Sequence, residues 1–135
     1  MNYKAKCCCE ACSVVITGAP VINGVCHCDN CKRRTGSAFV WFCFFQNQDV
    51  MPAEGPFVQY ALPESGNQKR QFCSLCGTTL LWTNDYFKNF TGIAGGCILG
   101  PAPPPPDLTV SNANRCAWLS LPDDWRQSWS PPDGA

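Results

Sequence analysis

The sequence predicts a small all-β domain, a twisted β-sandwich or open barrel with cysteine-rich turns. Three observations predict it. Short runs rich in β-branched and aromatic residues recur between Gly, Pro and Asn along the 135 residues. No periodic apolar stretch is long enough for a long helix. Most of the twelve cysteines fall into three tight clusters, which suits ligand-bearing turns better than helix packing.

Five runs carry the strand signal: Ser13–Thr17, Ala38–Phe45, Pro56–Leu62, Thr78–Trp82 and Leu108–Val110. Ala38–Phe45 is apolar throughout, which suits a strand covered on both faces. Asp29–Thr35 reads as one or two helical turns, with Asp29 as cap and Gly36 just beyond the end. Pro101–Pro106 holds five prolines and one alanine, so it must be an extended connection without ladder donors. Cys116–Leu121 reads as a returning apolar segment that docks. Residues 1–121 form one domain on this reading, and 122–135 form a partly disordered C-terminal extension with a frayed tail at Ser130–Ala135.

Composition narrows the function. Ten basic and ten acidic residues cancel, which speaks against a strongly basic nucleic-acid binder. At 45% hydrophobic and 15% charged, the chain is not intrinsically disordered. The N-terminal residues offer no apolar core for an export signal, and the longest apolar run, of eight residues at Ala38–Phe45, is far too short to span a membrane. The expected compartment is therefore the reducing cytoplasm, where clustered cysteines are metal-binding thiolates rather than disulfides.

The clusters are Cys7-Cys8-Cys9-Glu10-Ala11-Cys12, Cys26-His27-Cys28-Asp29-Asn30-Cys31 and Cys73-Ser74-Leu75-Cys76-Gly77. A C-x2-C turn sets two sulfurs about one zinc–sulfur bond length from a common centre, and a structural zinc takes four protein ligands. Cys73 and Cys76 supply two, and the N-terminal cluster supplies the others. Spacing alone leaves Cys9 with Cys12 and Cys7 with Cys9 both open. Period-two alternation favours Cys7 and Cys9, because Cys12, Val14 and Ile16 then share one strand face as core. The middle cluster offers three thiolates, Cys26, Cys28 and Cys31, with no evident fourth protein ligand. Such an open position belongs to a catalytic or substrate-binding zinc. His27 lies between ligand positions and is expected to point away. Cys43 reads as core packing, and Cys97 and Cys116 have no partner at metal spacing.

Cys7-x-Cys9, Thr17-Gly18, Cys26-His27-Cys28-x2-Cys31-Lys32-Arg33, Gly36 and Phe72-Cys73-x2-Cys76-Gly77 together resemble the glutathione-dependent formaldehyde-activating enzyme family, which also contains centromere protein V. The resemblance spans roughly residues 4–121. It implies an all-β fold shared with a small zinc-binding guanine-nucleotide-release factor. It also implies two zinc ions per chain: a structural one on Cys7, Cys9, Cys73 and Cys76, and a second on Cys26, Cys28 and Cys31. Two departures stand out: Glu10 where the family usually has glycine, and Cys8 as an added thiol.

A zinc on three thiolates is a soft, weak Lewis acid suited to a fourth sulfur, whose thiol it holds as a reactive thiolate. The resemblance implies glutathione as that thiol and S-hydroxymethylglutathione as its formaldehyde adduct, hence a carbon–sulfur lyase. Glutathione's two carboxylates would meet Lys32, Arg33 and Arg34 directly after the third ligand, with Arg33 the favoured clamp. Seven thiolates outweigh two divalent ions, so the loaded protein is net acidic, again unlike a DNA binder. The competing reading is a non-enzymatic zinc module that recognises a protein. It would use the aromatics Phe39, Trp41, Phe42, Phe44 and Phe45 as a partner surface, whereas their continuity favours core.

Overall fold

The computed structural model describes residues 2–128. A two-stranded sheet holds β1 (Asn2–Lys6) and β2 (Ser13–Thr17). A seven-stranded open sheet holds β3 (Ile22–Cys26), β4 (Val40–Gln46), β5 (Phe57–Leu62), β6 (Gln68–Cys73), β7 (Thr79–Thr83), β8 (Phe90–Ala94) and β9 (Leu108–Val110). Its order is β5-β6-β7-β8-β4-β3-β9, antiparallel except where β9 runs parallel to β3. The single helix among the described residues, α1 (Asp29–Thr35), leaves the end of β3.

All five predicted strands form, with ends shifted by at most two residues. Four others, β1, β3, β6 and β8, lack the unbroken β-branched or aromatic signature. β3 is Ile-Asn-Gly-Val-Cys and β6 is Gln-Lys-Arg-Gln-Phe-Cys. Neighbouring strands impose extension on these segments where propensity does not.

β4 is buried on both faces, as its unbroken apolar run requires, and its alternation divides the interior in two. Cys43 and Phe45 face the first core, where they meet Tyr3, Ala5, Cys12, Val14 and Ile16 of the two-stranded sheet. Val40, Phe42 and Phe44 face the second, with Ile22, Trp82, Phe90 and Leu108. A register shift opposite Gln71 and Phe72 leaves Leu80 unpaired in β7, so Leu80 and Leu81 both join the first core. None of the aromatic run becomes an exposed patch.

The proline-rich stretch is extended and tethered to the sheet: Asn23 Nδ2 donates to Pro104 O at 2.7 Å, while its Oδ1 accepts from Trp41 Nε1 at 2.7 Å. The expected docking of Cys116–Leu121 is shallow, with Trp118 left 73% exposed; the segment has turns but no ladder partner. Chain beyond 121 instead packs at Arg126, whose backbone N–H donates to Asp107 O and whose carbonyl accepts from Thr109, both at 2.9 Å. The expected tail at Ser130–Ala135 lies outside the described residues.

Gly92 on β8 positions the second core, because the Trp82 indole lies directly on the space a Cβ there would fill. Gly92→Ala should therefore displace Trp82 and cost about 1–3 kcal/mol, read as a lower urea midpoint at unchanged m-value.

Candidate functional site

Two sulfur clusters assemble, and both comprise the cysteines expected from the sequence. The first joins two hairpin tips. Cys7 and Cys9 lie in the β1–β2 turn, where Cys7 N donates to Cys12 O and Cys12 N to Cys7 Sγ at 3.2 Å. Cys73 and Cys76 lie in the β6–β7 turn, where Cys73 N donates to Thr78 O, Gly77 N to Cys73 O, and Leu75 N to Cys73 Sγ at 3.4 Å. Gly77 takes φ +80°, a left-handed conformation that glycine enters without strain. Cys8 N donates to Thr78 Oγ1 at 3.1 Å and links the two tips.

Within this set Cys7 Sγ and Cys9 Sγ are 3.6 Å apart, and Cys9 Sγ and Cys73 Sγ 3.7 Å. A tetrahedron with 2.3 Å zinc–sulfur bonds has edges of about 3.8 Å, so the four sulfurs fit zinc. Their N–H donors also suit thiolates better than thiols. The alternative pair, Cys9 with Cys12, does not form. Cys12 is fully buried on the strand face it shares with Val14 and Ile16. Glu10 adopts φ +65°, the conformation that explains a glycine preference at this position, and its carboxylate reaches Lys6 Nζ at 3.2 Å.

The second cluster sits where β3 runs into α1. Cys26, Cys28 and Cys31 bring their sulfurs within 4.8 Å of one another, and no fourth His, Cys, Asp or Glu joins them among the described residues. Cys28, not Asp29, caps the helix: its sulfur accepts Cys31 N–H at 3.3 Å. Asp29 is the first helical residue and faces Lys32 Nζ at 3.6 Å. One residue's difference in register makes a ligand serve as the cap. The hydrogen bond from Cys31 pulls the Cys26 thiol down to about 5 and, in return, holds the Cys31 proton tightly. Hydrogen bonding within the trio thus favours negative charge at Cys26, and three sulfur donors fit a soft divalent ion.

His27 does point away, and it ties the cluster to β9. Its Nε2 lies 2.9 Å from Thr109 Oγ1, which itself donates to Asn112 Oδ1 at 2.6 Å, so Nε2 is the donor. Burial, then nearby Arg115, push the His27 pKa down. This chain fixes the end of β9 and brings the Ser111 hydroxyl to 3.7 Å from Cys26 Sγ. Ser111 itself holds φ +58°, uncommon for a residue other than glycine.

The basic run after Cys31 divides by direction. Lys32 is occupied by Asp29 and by Asn114 O at 2.8 Å. Arg33, the favoured clamp from sequence, is exposed. Arg34 turns inward, with its guanidinium 4.4 Å above the Trp82 ring. Burial lowers its pKa, and the sulfurs of Cys31, Cys28 and Cys26 offset that. Helical geometry decides this: Arg34 is three residues after Cys31 and so shares its face.

Arg34 borders two cavities. One, of 170 Å³, lies between Cys26, Cys31 and the second core. The other, of 290 Å³, is lined by Arg34, Tyr60, Arg70, Phe72, Gly77 and Thr79. Arg70, which with Lys69 reads in the sequence as a surface basic pair, is instead half-buried, held by Gln68 Oε1 at 2.8 Å and by Asn30 Oδ1, and Arg34 repels it. Trp82, Ser111 and Arg70 all come from strands and turns distant in sequence, and no local spacing announces them.

The family model described as glutathione-dependent formaldehyde-activating enzyme matches residues 2–111. The chain belongs to this family. It is also 34% identical over 101 residues, 68% of this chain and 71% of the other, to a protein of Schizosaccharomyces pombe (strain 972 / ATCC 24843) named as an uncharacterized lyase. A Rhodobacter sphaeroides protein of known crystal structure matches with a TM-score of 0.59 at 18% identity, covering 74% of this chain and 91% of that one. That likeness bears on the fold alone. No helix among the described residues is long and apolar enough to cross a membrane.

The two clusters should fail differently. Cys73→Ser is expected to unfold the domain, because a structural zinc contributes folding free energy on the order of 10 kcal/mol. Cys28→Ser should release one metal and keep the β-sheet circular dichroism. Equal unfolding of the two variants would show that the clusters do not divide into structural and functional roles.

Proposed function

We propose that this family member is a carbon–sulfur lyase acting on the adduct of a thiol, glutathione or another, with a carbonyl compound, an adduct of the kind that S-hydroxymethylglutathione represents. The single observation that carries the reading is a three-sulfur cluster bordering a cavity, with no fourth protein ligand among the described residues. Zinc bound by Cys26, Cys28 and Cys31 would supply a soft acceptor that favours a thiolate over a thiol.

The chain's own residues do the rest. Arg34 sets a positive charge beside the sulfurs and, with Arg70, frames the 290 Å³ cavity as a carboxylate clamp. Guanidiniums suit this task because a planar fork takes both carboxylate oxygens. Ser111 offers the adduct's hydroxyl a hydrogen-bond partner next to Cys26. The second zinc would sit on Cys7, Cys9, Cys73 and Cys76 and hold the hairpin tips together. Both sets need reduced thiols, which suits the cytoplasm. Phe42, Phe44 and Phe45 are buried and Phe39 and Trp41 half-buried, so the run presents no exposed patch, which favours the enzyme over a protein-recognition module.

Metal analysis of the protein purified without chelator should give two zinc ions per chain. Five cysteines then remain, but Cys12 and Cys43 are fully buried, and burial pushes both thiols up to about 12. Cys97 is half-buried and its thiol is pushed up to about 11, chiefly by burial. Native titration should therefore find two readily reactive thiols, Cys8 and Cys116, with Cys97 reacting slowly, and denaturation should reveal the rest. One zinc per chain would leave the lyase reading without its centre.

The activity test follows release of formaldehyde from preformed S-hydroxymethylglutathione with an aldehyde-trapping hydrazine. Arg34→Ala should lower kcat/KM about ten- to a hundredfold, the worth of a charge-assisted hydrogen bond, while Arg33→Ala should change it less than about twofold. The opposite ranking would return the clamp to Arg33.

A further inference from the structure

The 170 Å³ cavity beside Cys26 and Cys31 is far larger than formaldehyde. Phe42, Phe44, Trp82, Phe87, Val40 and Val110 line most of it, and Gln68 and Asn84 add polar groups to the wall. Phe42 and Phe44 stack at 5.4 Å between ring centroids, and Phe44 meets Phe87 at 5.5 Å. Both pairs are tilted, the arrangement in which aromatic walls hold their shape. Polar Arg34 borders the cavity on the sulfur side, so an apolar recess opens directly onto the reaction centre. A cavity of roughly 150 Å³ with aliphatic and aromatic walls accepts a benzene-sized guest.

We infer that this cavity receives the carbonyl substituent of the adduct, so that the electrophile is an aldehyde bearing a compact apolar group up to the size of one aromatic ring. The inference rests on the thiol-adduct reading of the three-sulfur cluster and names the substrate class of that site. In the lyase direction the carbon–sulfur bond of the hemithioacetal breaks and its electron pair stays on sulfur as thiolate. The hydroxyl-bearing carbon becomes the aldehyde carbon, and the hydroxyl proton leaves to water. No oxidant or reductant enters. Formaldehyde has only hydrogen at this position and would leave the aromatic walls unfilled. An apolar group there would remove those walls and itself from water, a gain proportional to the area covered. The thiol's carboxylates would extend the other way, toward Arg34 and Arg70.

Calorimetric titration of the zinc-loaded chain with glutathione, S-methylglutathione and S-benzylglutathione tests this without turnover. S-benzylglutathione should bind at least about tenfold more tightly than S-methylglutathione, from burial of one ring. Val110→Phe, which fills the recess, and Phe87→Ala, which opens a wall formed by a partly exposed residue, should each reduce that ratio below about threefold. If glutathione binds but the two thioethers bind equally, the thiol reading stands and the substrate class is wrong. A benzyl advantage that survives both substitutions also overturns it, since the ring would then sit elsewhere. If glutathione itself does not bind, the thiol reading fails and takes this inference with it.

Discussion

Everything else in the molecule depends on β4 being covered on both faces. A strand whose side chains alternate between two interiors must have a partner layer for each. The β1–β2 hairpin supplies one layer over Cys43 and Phe45. On the other side, among the described residues, the sheet has no second layer of strands. Phe42 and Phe44 are covered instead by Trp82, Phe87, Phe90 and Leu108, side chains of the sheet itself and its turns. A face covered by side chains alone packs less completely than one covered by a sheet, and the recess beside Cys26 and Cys31 is what remains. The site is thus the unfinished half of the core.

The same asymmetry accounts for the two sulfur clusters. A two-stranded sheet is too small to hold its place by apolar contact alone. A metal on the four-sulfur set would fix it at the tips, joining Cys9 to Cys73 across 64 residues of chain, where closure otherwise costs most. The three-sulfur set spans only the short segment from Cys26 to Cys31 and would restrain little. Its sulfurs lie at the end of β3, already positioned by the sheet and by His27 hydrogen-bonding to Thr109.

Much of this was legible in the sequence, because cysteine spacing and unbroken apolar runs are local signals. The seven clustering cysteines, the strand at Ala38–Phe45 and the helical turns at Asp29–Thr35 could be read directly. What could not be read was anything requiring two distant segments to meet. Arg70 on β6 meets Asn30 on the helix across 40 residues of chain, and Ser111 reaches Cys26 only because β9 lies parallel to β3. β3 and β6 carry Asn, Gly, Gln, Lys and Arg, so their extension comes from neighbours rather than from their own residues. Arg33 was preferred over Arg34 for want of a helical phase. Once α1 is fixed, three residues from Cys31 means the same face and two residues means the opposite one.

That phase also sets the charge at the centre. Three thiolates around a divalent ion would retain about one negative charge, and a partly buried charge requires a partner. Arg34 is placed to be that partner: burial lowers its pKa, and the sulfurs beside it offset only part of that. Arg70 feels Cys31, Cys28 and Tyr60 as well, but only from a distance through charge, and its hydrogen-bond partners carry none. It is held by two neutral amides, Gln68 and Asn30, rather than by a carboxylate. Amides fix a guanidinium's orientation without neutralising it, so the positive charge facing the 290 Å³ cavity remains available to an anion arriving from solution. An Asp or Glu in place of either amide would hold Arg70 equally well and cancel the attraction. The division of labour follows from this: Arg34 makes the sulfur cluster tolerable in a partly buried place, and Arg70 carries the charge that a carboxylate-bearing thiol would meet first.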